Sequence, residues 1–329
     1  MKSVALGFSG GVDSAVCAVL LKNEGFDVKG IFLDNGSGRE DAEKTADIIG
    51  IPLEVIDVRK ELEEKVCSLF QTAYLEGRTP NPCIICNPVL KFEKLIEFGT
   101  DYIATGHYAR SENGALYKGH PDNDQSYMLC RLKREQLNRL IFPLGSVPKI
   151  RTRQMADEFN LPVASKPDSM EICFIPDKDY IGWLGRRTAL PGPGALMLCG
   201  QTVGEHDGIY RYTVGQRYPG LMNGRKVYIS KIDARNNTVE LSYWEDLFKT
   251  TVFAENFSYL ADMPDEFEGT VRVRHTKWEN PPCRVTKNGT DVKIECAEPV
   301  RAPAPGQSAV VYQGDRVIGG GFITDREVF

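Results

Sequence analysis

The feature that most constrains this chain is a string rich in glycine and serine near its N-terminus, Ser-Gly-Gly-Val-Asp-Ser at residues 9–14. The string lies between a short apolar run at 4–8 and an amphipathic stretch at 15–24, which Gly25 ends. An apolar run, a glycine turn and an amphipathic stretch are typical of a buried strand leading into a helix. The chain is therefore expected to begin with a strand–loop–helix unit of an α/β domain.

This loop is suited to holding phosphate. Its glycines let backbone N–H groups approach phosphate oxygens, and the following helix points its partially positive N-terminus at the same place. Ser9 and Ser14 can add hydroxyl donors, whereas Asp13 needs a Mg²⁺ ion between its carboxylate and a phosphate. The lysine of a Walker loop is missing, which excludes a standard P-loop hydrolase. The nucleotide-binding candidates are Gly7, Phe8, Ser9, Gly10, Gly11, Val12, Asp13 and Ser14.

Strand and helix patterns alternate over the N-terminal part of the chain. Further strands are predicted at 28–33, 53–58 and 102–105, and helices at 39–49, 61–75 and 89–98. This alternation is typical of βαβ units with a mainly parallel sheet, in which ligands collect at the carboxyl ends of the strands.

The pattern changes near residue 145, where a helix over 150–160 gives way to a region rich in proline and glycine. A β-hairpin is predicted from 226–232 and 238–241, and short strands from 270 to 323 predict a small antiparallel barrel. The expected architecture is an α/β domain with a mainly parallel sheet (1–144), a small central α+β domain (145–246) and a C-terminal antiparallel β-barrel (247–329).

Composition narrows the setting. Nine cysteines, an odd number spread through apolar patterns, favour a reducing cytoplasm over a disulfide scaffold. No apolar run is long enough to span a membrane. The net charge of −5 argues weakly against nucleic acid as a partner. One local basic run could still contact phosphates, or could be a solvated helix face: Arg131, Lys133, Arg134, Arg139, Lys149, Arg151 and Arg153.

Three of the cysteines stand in unusual strings. Cys83 and Cys86 follow Arg-Thr-Pro-Asn-Pro at 78–82, just before a predicted helix, and Cys173 precedes an apolar pair. A thiol near a helix N-terminus is expected to have a lowered pKa. A cysteine pair suits sulfur delivery, with one thiol carrying a persulfide and the other completing the transfer. The alternative is that these cysteines are small core residues, as we expect of Cys17, Cys67 and Cys130.

The loop at 9–14 resembles the signature of the ATP pyrophosphatase (PP-loop) superfamily, whose members adenylate a carbonyl-type oxygen. Beyond the loop, the chain looks like a tRNA-specific 2-thiouridylase, the family that thiolates the wobble uridine of certain tRNAs. The resemblance covers most of the chain, in motifs at 7–14, 77–82, 86–87, 105–110, 124–127, 168–175, 212–217 and 306–307. It implies an N-terminal domain of the adenine nucleotide alpha hydrolase type, a small central domain and a C-terminal β-barrel.

The resemblance also implies roles for individual residues. Cys86 matches the nucleophile and Cys173 the persulfide carrier, while Leu33 and Gly106 flank the adenine or ribose of ATP. The other matching positions are expected to meet the target base or the tRNA: Asn81, Pro82, Cys83, His107, Asn123, Asp124, Gln125, Arg272, Arg274 and Gln307.

Two departures from the family pattern stand out. Cys83 occupies the place of an aspartate, and the segment after Leu33, residues 34–38, is shorter than usual. Cys83, Cys86 and Cys173 could instead ligate a [4Fe–4S] cluster with one open iron. A zinc ion would need a fourth ligand.

The resulting hypothesis is an ATP-dependent sulfurtransferase with ATP and Mg²⁺ as cofactors. Its partners would be tRNA and a persulfide donor such as a cysteine desulfurase or a sulfur relay. One alternative is a PP-loop synthetase or thiolase acting on a small molecule. Another is an RNA-binding or sulfur-carrier protein without catalysis.

Overall fold

The fold is taken from a computed structural model, which describes residues 1–167, 172–275 and 280–327. The chain forms two compact units. The first contains Met1–Val66, Cys83–Phe174 and Asp315–Ile318, and the second contains Cys67–Pro82, Ile175–Gly314 and Gly319–Phe329. These two units differ from the three domains that were expected at 1–144, 145–246 and 247–329. The boundaries of those three domains stay predictions.

The first unit is built on a five-stranded sheet in the order β3-β2-β1-β4-β7, and every neighbouring pair is parallel. A short antiparallel hairpin, β5–β6, lies between β4 and β7 in the chain. The strands of this region are β1 (Ser3–Gly7), β2 (Asp27–Asp34), β3 (Leu53–Asp57), β4 (Tyr102–Thr105), β5 (Ala109–Glu112), β6 (Ala115–Lys118) and β7 (Leu140–Ile141).

Strand β1 lies at the centre of this sheet because it is apolar on both faces. Val4, Ala5 and Leu6 are fully buried, as expected for a parallel strand covered by helices. β1 pairs with β2 on one side and β4 on the other, so the strand order reverses beside it. Open α/β sheets bind ligands in the crevice at such a reversal, and the loop at 9–14 lies at this point. The predicted parallel α/β domain is confirmed.

Helices cover the sheet and continue beyond it. The α-helices are α1 (Val12–Asn23), α2 (Arg39–Ile49), α3 (Arg59–Leu62), α4 (Ser68–Leu75), α5 (Pro82–Cys86), α6 (Phe92–Ile96), α7 (Arg134–Leu137), α8 (Lys149–Glu158) and α9 (Tyr180–Gly185). Two π-helical segments join consecutive α-helices: Glu63–Cys67 joins α3 to α4, and Asn87–Lys91 joins α5 to α6.

The helix expected to begin at residue 89 in fact begins at Pro82. Proline is favoured at the first position of a helix because its missing N–H would have no partner there. Cys86 therefore lies at the end of α5, inside a longer helical run, and not ahead of a helix N-terminus. The expected position of this cysteine in the helix was wrong by seven residues, about two helical turns.

The second unit contains a four-stranded sheet and a barrel. The sheet has the order β10-β11-β8-β9, with only β11 and β8 parallel. Its strands are β8 (Gly194–Leu198), β9 (Gln201–His206), β10 (Tyr228–Asp233) and β11 (Thr238–Ser242). The hairpin predicted from 226–241 is β10–β11, and with α9 it gives the expected α+β character.

The barrel has six strands, β12 (Phe248–Tyr259), β13 (Glu266–Arg272), β14 (Pro282–Asn288), β15 (Asp291–Arg301), β16 (Ser308–Gln313) and β17 (Arg316–Thr324). The barrel closes because the long strand β12 pairs antiparallel with both β15 and β17. The predicted C-terminal antiparallel barrel is confirmed. No helix within the described ranges is long and apolar enough to cross a membrane.

Candidate active site

The loop between β1 and α1 is shaped to leave backbone N–H groups open to a ligand. Gly11 caps α1 without a side-chain hydrogen bond, so the N–H groups of the first helical turn have no side-chain acceptor there. The Ser14 hydroxyl donates to the Gly11 carbonyl at 3.1 Å and lies 3.3 Å from the Ser9 hydroxyl. Gly10 has φ +69°, and a Cβ there would lie 2.6 Å from the Cα of Ala42, so only glycine fits.

The Asp13 carboxylate is bound on two sides. The Lys149 ammonium, from the first residue of α8, donates to its two oxygens at 2.7 and 2.8 Å. The Tyr108 hydroxyl donates to Asp13 at 2.6 Å and also lies 3.1 Å from the Thr152 hydroxyl. Lys149 was expected only as part of a general basic run. Its position 136 residues beyond Asp13 in the chain hid the contact, although a lysine-free phosphate loop signals that a cation must come from elsewhere.

The three cysteines predicted at the site, Cys83, Cys86 and Cys173, all belong to the first unit. Cys83 and Cys86 lie on one face of α5, three residues apart. Cys83 and Cys173 both help to raise the pKa of the Cys86 thiol, and Cys83 helps to raise the pKa of Cys173, so the three thiols lie within electrostatic range of one another. No disulfide joins any of the nine cysteines, all of which the structure describes.

The pKa of Cys86 contradicts the sequence expectation. Burial raises it to about 11, because the thiolate loses contact with water; the charge of Lys91 acts against this shift but does not cancel it. Loss of water around the sulfur also raises the pKa of Cys173, although the residue as a whole is exposed, and the charge of Lys91 again opposes this shift. The expected helix N-terminus is absent at Cys86, so a lowered pKa was wrong. Lys91 is a site residue that the sequence analysis missed.

The short segment after β2 contacts the persulfide candidate. The Asn35 side-chain amide donates to the backbone carbonyl of Cys173 at 3.2 Å, and Asp34 folds the segment by accepting from the Gly36 N–H at 2.8 Å. Leu33, expected beside the adenine or ribose, is half-buried near the end of β2. Of the Cys173 string, residues 168–171 lie outside the described part of the chain.

Gly106 and His107 follow β4 at the same edge of the sheet. The His107 ring is stacked on Phe92 with centroids 6.0 Å apart, and its Nδ1 lies 2.8 Å from the Thr105 hydroxyl. Burial holds the pKa of His107 well below its usual range, with a smaller effect from the charge of Lys91. The imidazole is therefore neutral at physiological pH.

Comparisons with known proteins agree with this arrangement. Residues 2–177 match the family described as tRNA methyl transferase HUP domain, 189–242 the tRNA methyl transferase PRC-barrel domain, and 249–323 the aminomethyltransferase beta-barrel domain. A tRNA-specific 2-thiouridylase of Thermoanaerobacter sp. strain X514 is 39% identical, with 97% of each chain covered. One of Syntrophotalea carbinolica strain DSM 2380 is 40% identical, with 98% of each chain covered.

The chain belongs to the tRNA-specific 2-thiouridylase family. A further 2-thiouridylase, from Carboxydothermus hydrogenoformans, is 38% identical and covers 99% of this chain. Among solved structures, a predicted subunit of tRNA methyltransferase from Methanocaldococcus jannaschii covers 48% of this chain at 24% identity, with a TM-score of 0.35.

Several positions that the 2-thiouridylase pattern assigns to tRNA contacts also organise the protein. Asp124 accepts from the Gly119 N–H at 2.8 Å and from both N–H and hydroxyl of Ser126 at 3.0 Å. The Gln125 side chain accepts from the Tyr108 N–H at 3.0 Å, and the Asn123 amide donates to the Val147 carbonyl at 3.5 Å. These bonds fix the loop beside Tyr108, and the tRNA contacts stay predictions.

In the second unit, the segment that leads to Asn81 and Pro82 is bound to the barrel. The Gln307 amide donates to the Thr79 carbonyl at 2.9 Å. Gly306 has φ +89°, and a Cβ there would lie 3.0 Å from the Thr79 nitrogen. The family motif at 306–307 therefore has a packing role, and the contact of Gln307 with tRNA stays a prediction.

The arginine candidates on the barrel differ in what they contact. Arg274 donates to the backbone carbonyls of Val214 and Ala302, the latter at 2.9 Å. Arg272 donates to the Asn280 side chain at 3.3 Å. Both contacts are internal to the protein, and the proposed tRNA contacts of these arginines are untested.

Several residues of the basic run at 131–153 form ion pairs or hydrogen bonds within the protein. Lys133 pairs with Glu93, and Arg151 pairs with Glu158. Arg153 donates to two backbone carbonyls at 3.0 and 3.1 Å, and Arg139 donates to the Thr100 carbonyl. These contacts favour a structural role over a continuous phosphate-binding face.

Proposed function

We propose that this chain is a tRNA 2-thiouridylase. In this proposal it uses ATP to adenylate the C2 oxygen of a wobble uridine and replaces that oxygen with sulfur. The observation that carries the proposal is that Cys86 and Cys173 lie within electrostatic range of each other, in the unit that also contains the phosphate loop. The full-length similarity to 2-thiouridylases supports the choice of tRNA uridine as the substrate.

ATP binding is assigned to the loop and to α8. The backbone N–H groups of the loop and of the first turn of α1 donate to phosphate oxygens. Lys149 supplies the positive charge that the loop itself lacks, and Asp13 with Tyr108 orients its ammonium. Attack of the uridine O2 on the α-phosphate forms the adenylate and releases pyrophosphate, leaving C2 open to a sulfur nucleophile.

Sulfur transfer is assigned to the cysteines. The terminal sulfur of a persulfide on Cys173 attacks C2, and AMP departs with the former O2. The Cys86 thiolate then attacks the Cys173 sulfur of the resulting C2–S–S–Cys173 adduct. This step breaks the S–S bond, releases 2-thiouridine and leaves a Cys86–Cys173 disulfide. Lys91 favours the thiolate form of both cysteines, against the effect of burial.

The remaining partners are part of the same proposal. The target base must leave its stack to enter such a site, as in other enzymes that modify bases. A protein persulfide donor, such as a cysteine desulfurase or a sulfur relay, loads Cys173. A reducing cytoplasm suits the nine thiols.

Mg²⁺ bound to the ATP phosphates would stabilise the negative charge that develops on the leaving pyrophosphate. The Asp13 carboxylate already binds an ammonium group, which does not match a direct Mg²⁺ ligand in this arrangement. Within residues 1–167, 172–275 and 280–327, no three His, Cys, Asp or Glu side chains are placed to hold one metal ion. Iron and sulfide analysis of anaerobically purified protein tests the [4Fe–4S] alternative directly.

The decisive experiment is mass spectrometry of tRNA nucleosides from two kinds of cells. One is a deletion strain that lacks this gene, and the other is the same strain with a copy of the gene on a plasmid. We expect 2-thiouridine derivatives to disappear in the deletion and to return with the wild-type copy. Cys86→Ser and Cys173→Ser should not restore them, whereas Cys199→Ser, at an exposed cysteine outside the site, should. Unchanged 2-thiouridine in the deletion strain would rule out the proposal. Purified Cys86→Ser and Cys173→Ser proteins that keep full ATP-dependent turnover would indicate a small-molecule synthetase.

A further inference from the structure

Helix α5 presents a Cys-x-x-Cys pair that the sulfur-transfer steps use only in part. Pro82 starts the helix, Cys83 is its second residue and is exposed, and Cys86 at its end is half-buried. Residues three apart in a helix share a face, so the two thiols are neighbours. An exposed thiol at a helix start and a recessed thiol one turn later form the arrangement typical of thiol–disulfide exchange.

Cys173 belongs to the same cluster. Cys83 shares a face of α5 with Cys86, and it lies within electrostatic range of both Cys86 and Cys173, the two partners of the disulfide that one turnover would create. Asn35 holds the backbone at Cys173 through a 3.2 Å hydrogen bond. While Cys173 remains in that disulfide, no persulfide can be loaded on it. The site therefore needs a step that releases Cys173.

We propose that Cys83 is the resolving thiol of this site, and that a dithiol reductant restores it after each turnover. This inference rests on the proposed function. The Cys83 thiolate attacks the Cys86 sulfur of the Cys86–Cys173 disulfide, a Cys83–Cys86 disulfide forms, and Cys173 leaves as a thiolate. No net oxidation occurs in this exchange. A dithiol reductant then attacks the exposed Cys83 sulfur, gives two electrons and leaves as its own disulfide, while Cys83 and Cys86 return to thiols.

Proximity favours this route over direct reduction of the first disulfide. A thiol fixed one helical turn away acts at an effective concentration far above that of a dissolved reductant. Attack at Cys86 also leaves no adduct on Cys173, so the persulfide carrier is ready for loading at once. An external thiol that attacked the exposed Cys173 would leave a mixed disulfide at the position that must be reloaded.

The first test maps disulfides without tRNA, so that it does not depend on the substrate. One equivalent of a thiol-specific oxidant of the azodicarboxamide class is added to the full-length protein, remaining thiols are alkylated, and peptides are analysed unreduced. The wild type should yield mainly the Cys83–Cys86 disulfide, and Cys83→Ser mainly Cys86–Cys173. Cys199→Ser, a matched change at an exposed cysteine, should behave as the wild type. A wild type that yields only Cys86–Cys173 would overturn the proposal.

The second test separates resolution from sulfur transfer. Protein loaded with persulfide is given tRNA and ATP, first for a single turnover and then for many turnovers at limiting dithiol. The ratio of the repeated-turnover rate to the single-turnover rate should fall about tenfold or more in Cys83→Ser relative to the wild type, and this ratio cancels any effect of the substitution on contact with the base. Cys83→Asp should show the same fall, because a carboxylate cannot exchange disulfides. An equal ratio of repeated-turnover to single-turnover rate in all three proteins would contradict the proposal. If even the wild type gave no product in the single turnover, the proposed function itself would be rejected.

Discussion

In the proposed ATP site, the ion pair between Asp13 and Lys149 brings a cation to a phosphate loop that has no lysine of its own. The ammonium lies at the loop because Pro148 starts α8 with Lys149 as its first helical residue, and the side chain reaches both oxygens of Asp13. A side chain held in this way is oriented before the nucleotide arrives, which lowers the entropy lost on binding. Lys149 can then transfer part of its hydrogen bonding to the incoming phosphates.

Replacing this lysine should weaken the use of ATP. A charge-assisted hydrogen bond contributes about 1.5–3 kcal/mol, so Lys149→Met should lower kcat/KM for ATP by about 10–100-fold. The measurement is pyrophosphate release at varied ATP concentration. Lys166→Met is the matched control, because Lys166 forms an exposed pair with Asp41 at 2.7 Å and should change the rate less than about twofold. A Lys149→Met protein with unchanged kcat/KM would refute the assignment.

The raised pKa of Cys86 predicts the pH dependence of its reactivity. With a pKa of about 11 in the folded protein, the thiolate fraction grows about tenfold per pH unit from pH 7 to 9. Alkylation of Cys86 by iodoacetamide, followed by peptide mass spectrometry, should rise about 100-fold over this interval without a plateau. Lys91→Met should slow it further, since losing the cation raises the pKa again. Cys17, which is fully buried, should stay unmodified as proof that the fold is intact. A plateau near pH 7 would contradict the burial effect.

At the scale of elements, the helical run from Pro82 to Ile96 is interrupted by a π segment directly after Cys86. Pro88 accounts for the break, because it has no N–H to donate to the carbonyl four residues earlier. Its own carbonyl accepts from the Gln136 side chain at 2.8 Å. The wider turn displaces the following residues and sets the position of Lys91 relative to the cysteines. One proline therefore shapes the proposed sulfur-transfer site.

In the barrel, strand β12 holds the segment before the cysteines through Glu255. This carboxylate is 14% exposed and accepts from Arg78 at 3.1 Å and from Arg326 at 2.7 Å. Glu255→Ala leaves both guanidinium groups without this acceptor, so it should lower the free energy of unfolding by about 1–3 kcal/mol. Urea unfolding measures this change. In Glu266→Ala, which breaks the exposed pair with Arg284, the loss should stay below about 1 kcal/mol. Equal losses of unfolding free energy in the two variants would show that the Glu255 contacts stabilise the protein no more than an exposed ion pair does.

At the scale of the whole molecule, an acidic protein is proposed to bind an acidic substrate. The net charge is −5, with 40 basic and 45 acidic residues, so any attraction to tRNA must come from local groups of cations. Many of these cations already have carboxylate partners, which phosphates must replace on binding. Such binding still releases counterions from the RNA and is sensitive to salt.

The affinity for tRNA should therefore fall by about tenfold or more when salt is raised from roughly 50 to 200 mM. Fluorescence anisotropy with labelled tRNA measures this change. The KM for ATP in the same buffers is the internal control, because a small ligand held by a few fixed groups should respond far less. A tRNA dissociation constant that changes by less than about twofold would show that binding does not rely on phosphate contacts.

Local patterns were sufficient for much of the fold. The apolar run of β1, the glycine turn and α1 were predictable because each depends on neighbouring residues, and so were α2 and β4. The long strand β12 was missed, since its alternation of buried and exposed residues is broken where its pairing with β17 shifts between Glu255 and Ser258. The start of α5 was missed because Pro82 was interpreted as part of a loop.

The sequence by itself determined the phosphate loop, the three cysteines and the order of the fold types, because these depend on short strings and local periodicity. Only the tertiary structure decided that Lys149 binds Asp13, that Lys91 acts on the thiols and that the half-buried Cys86 has a raised pKa. Each of these facts depends on groups distant in the chain or on the exclusion of water. Both arise from packing, which no short stretch of sequence encodes.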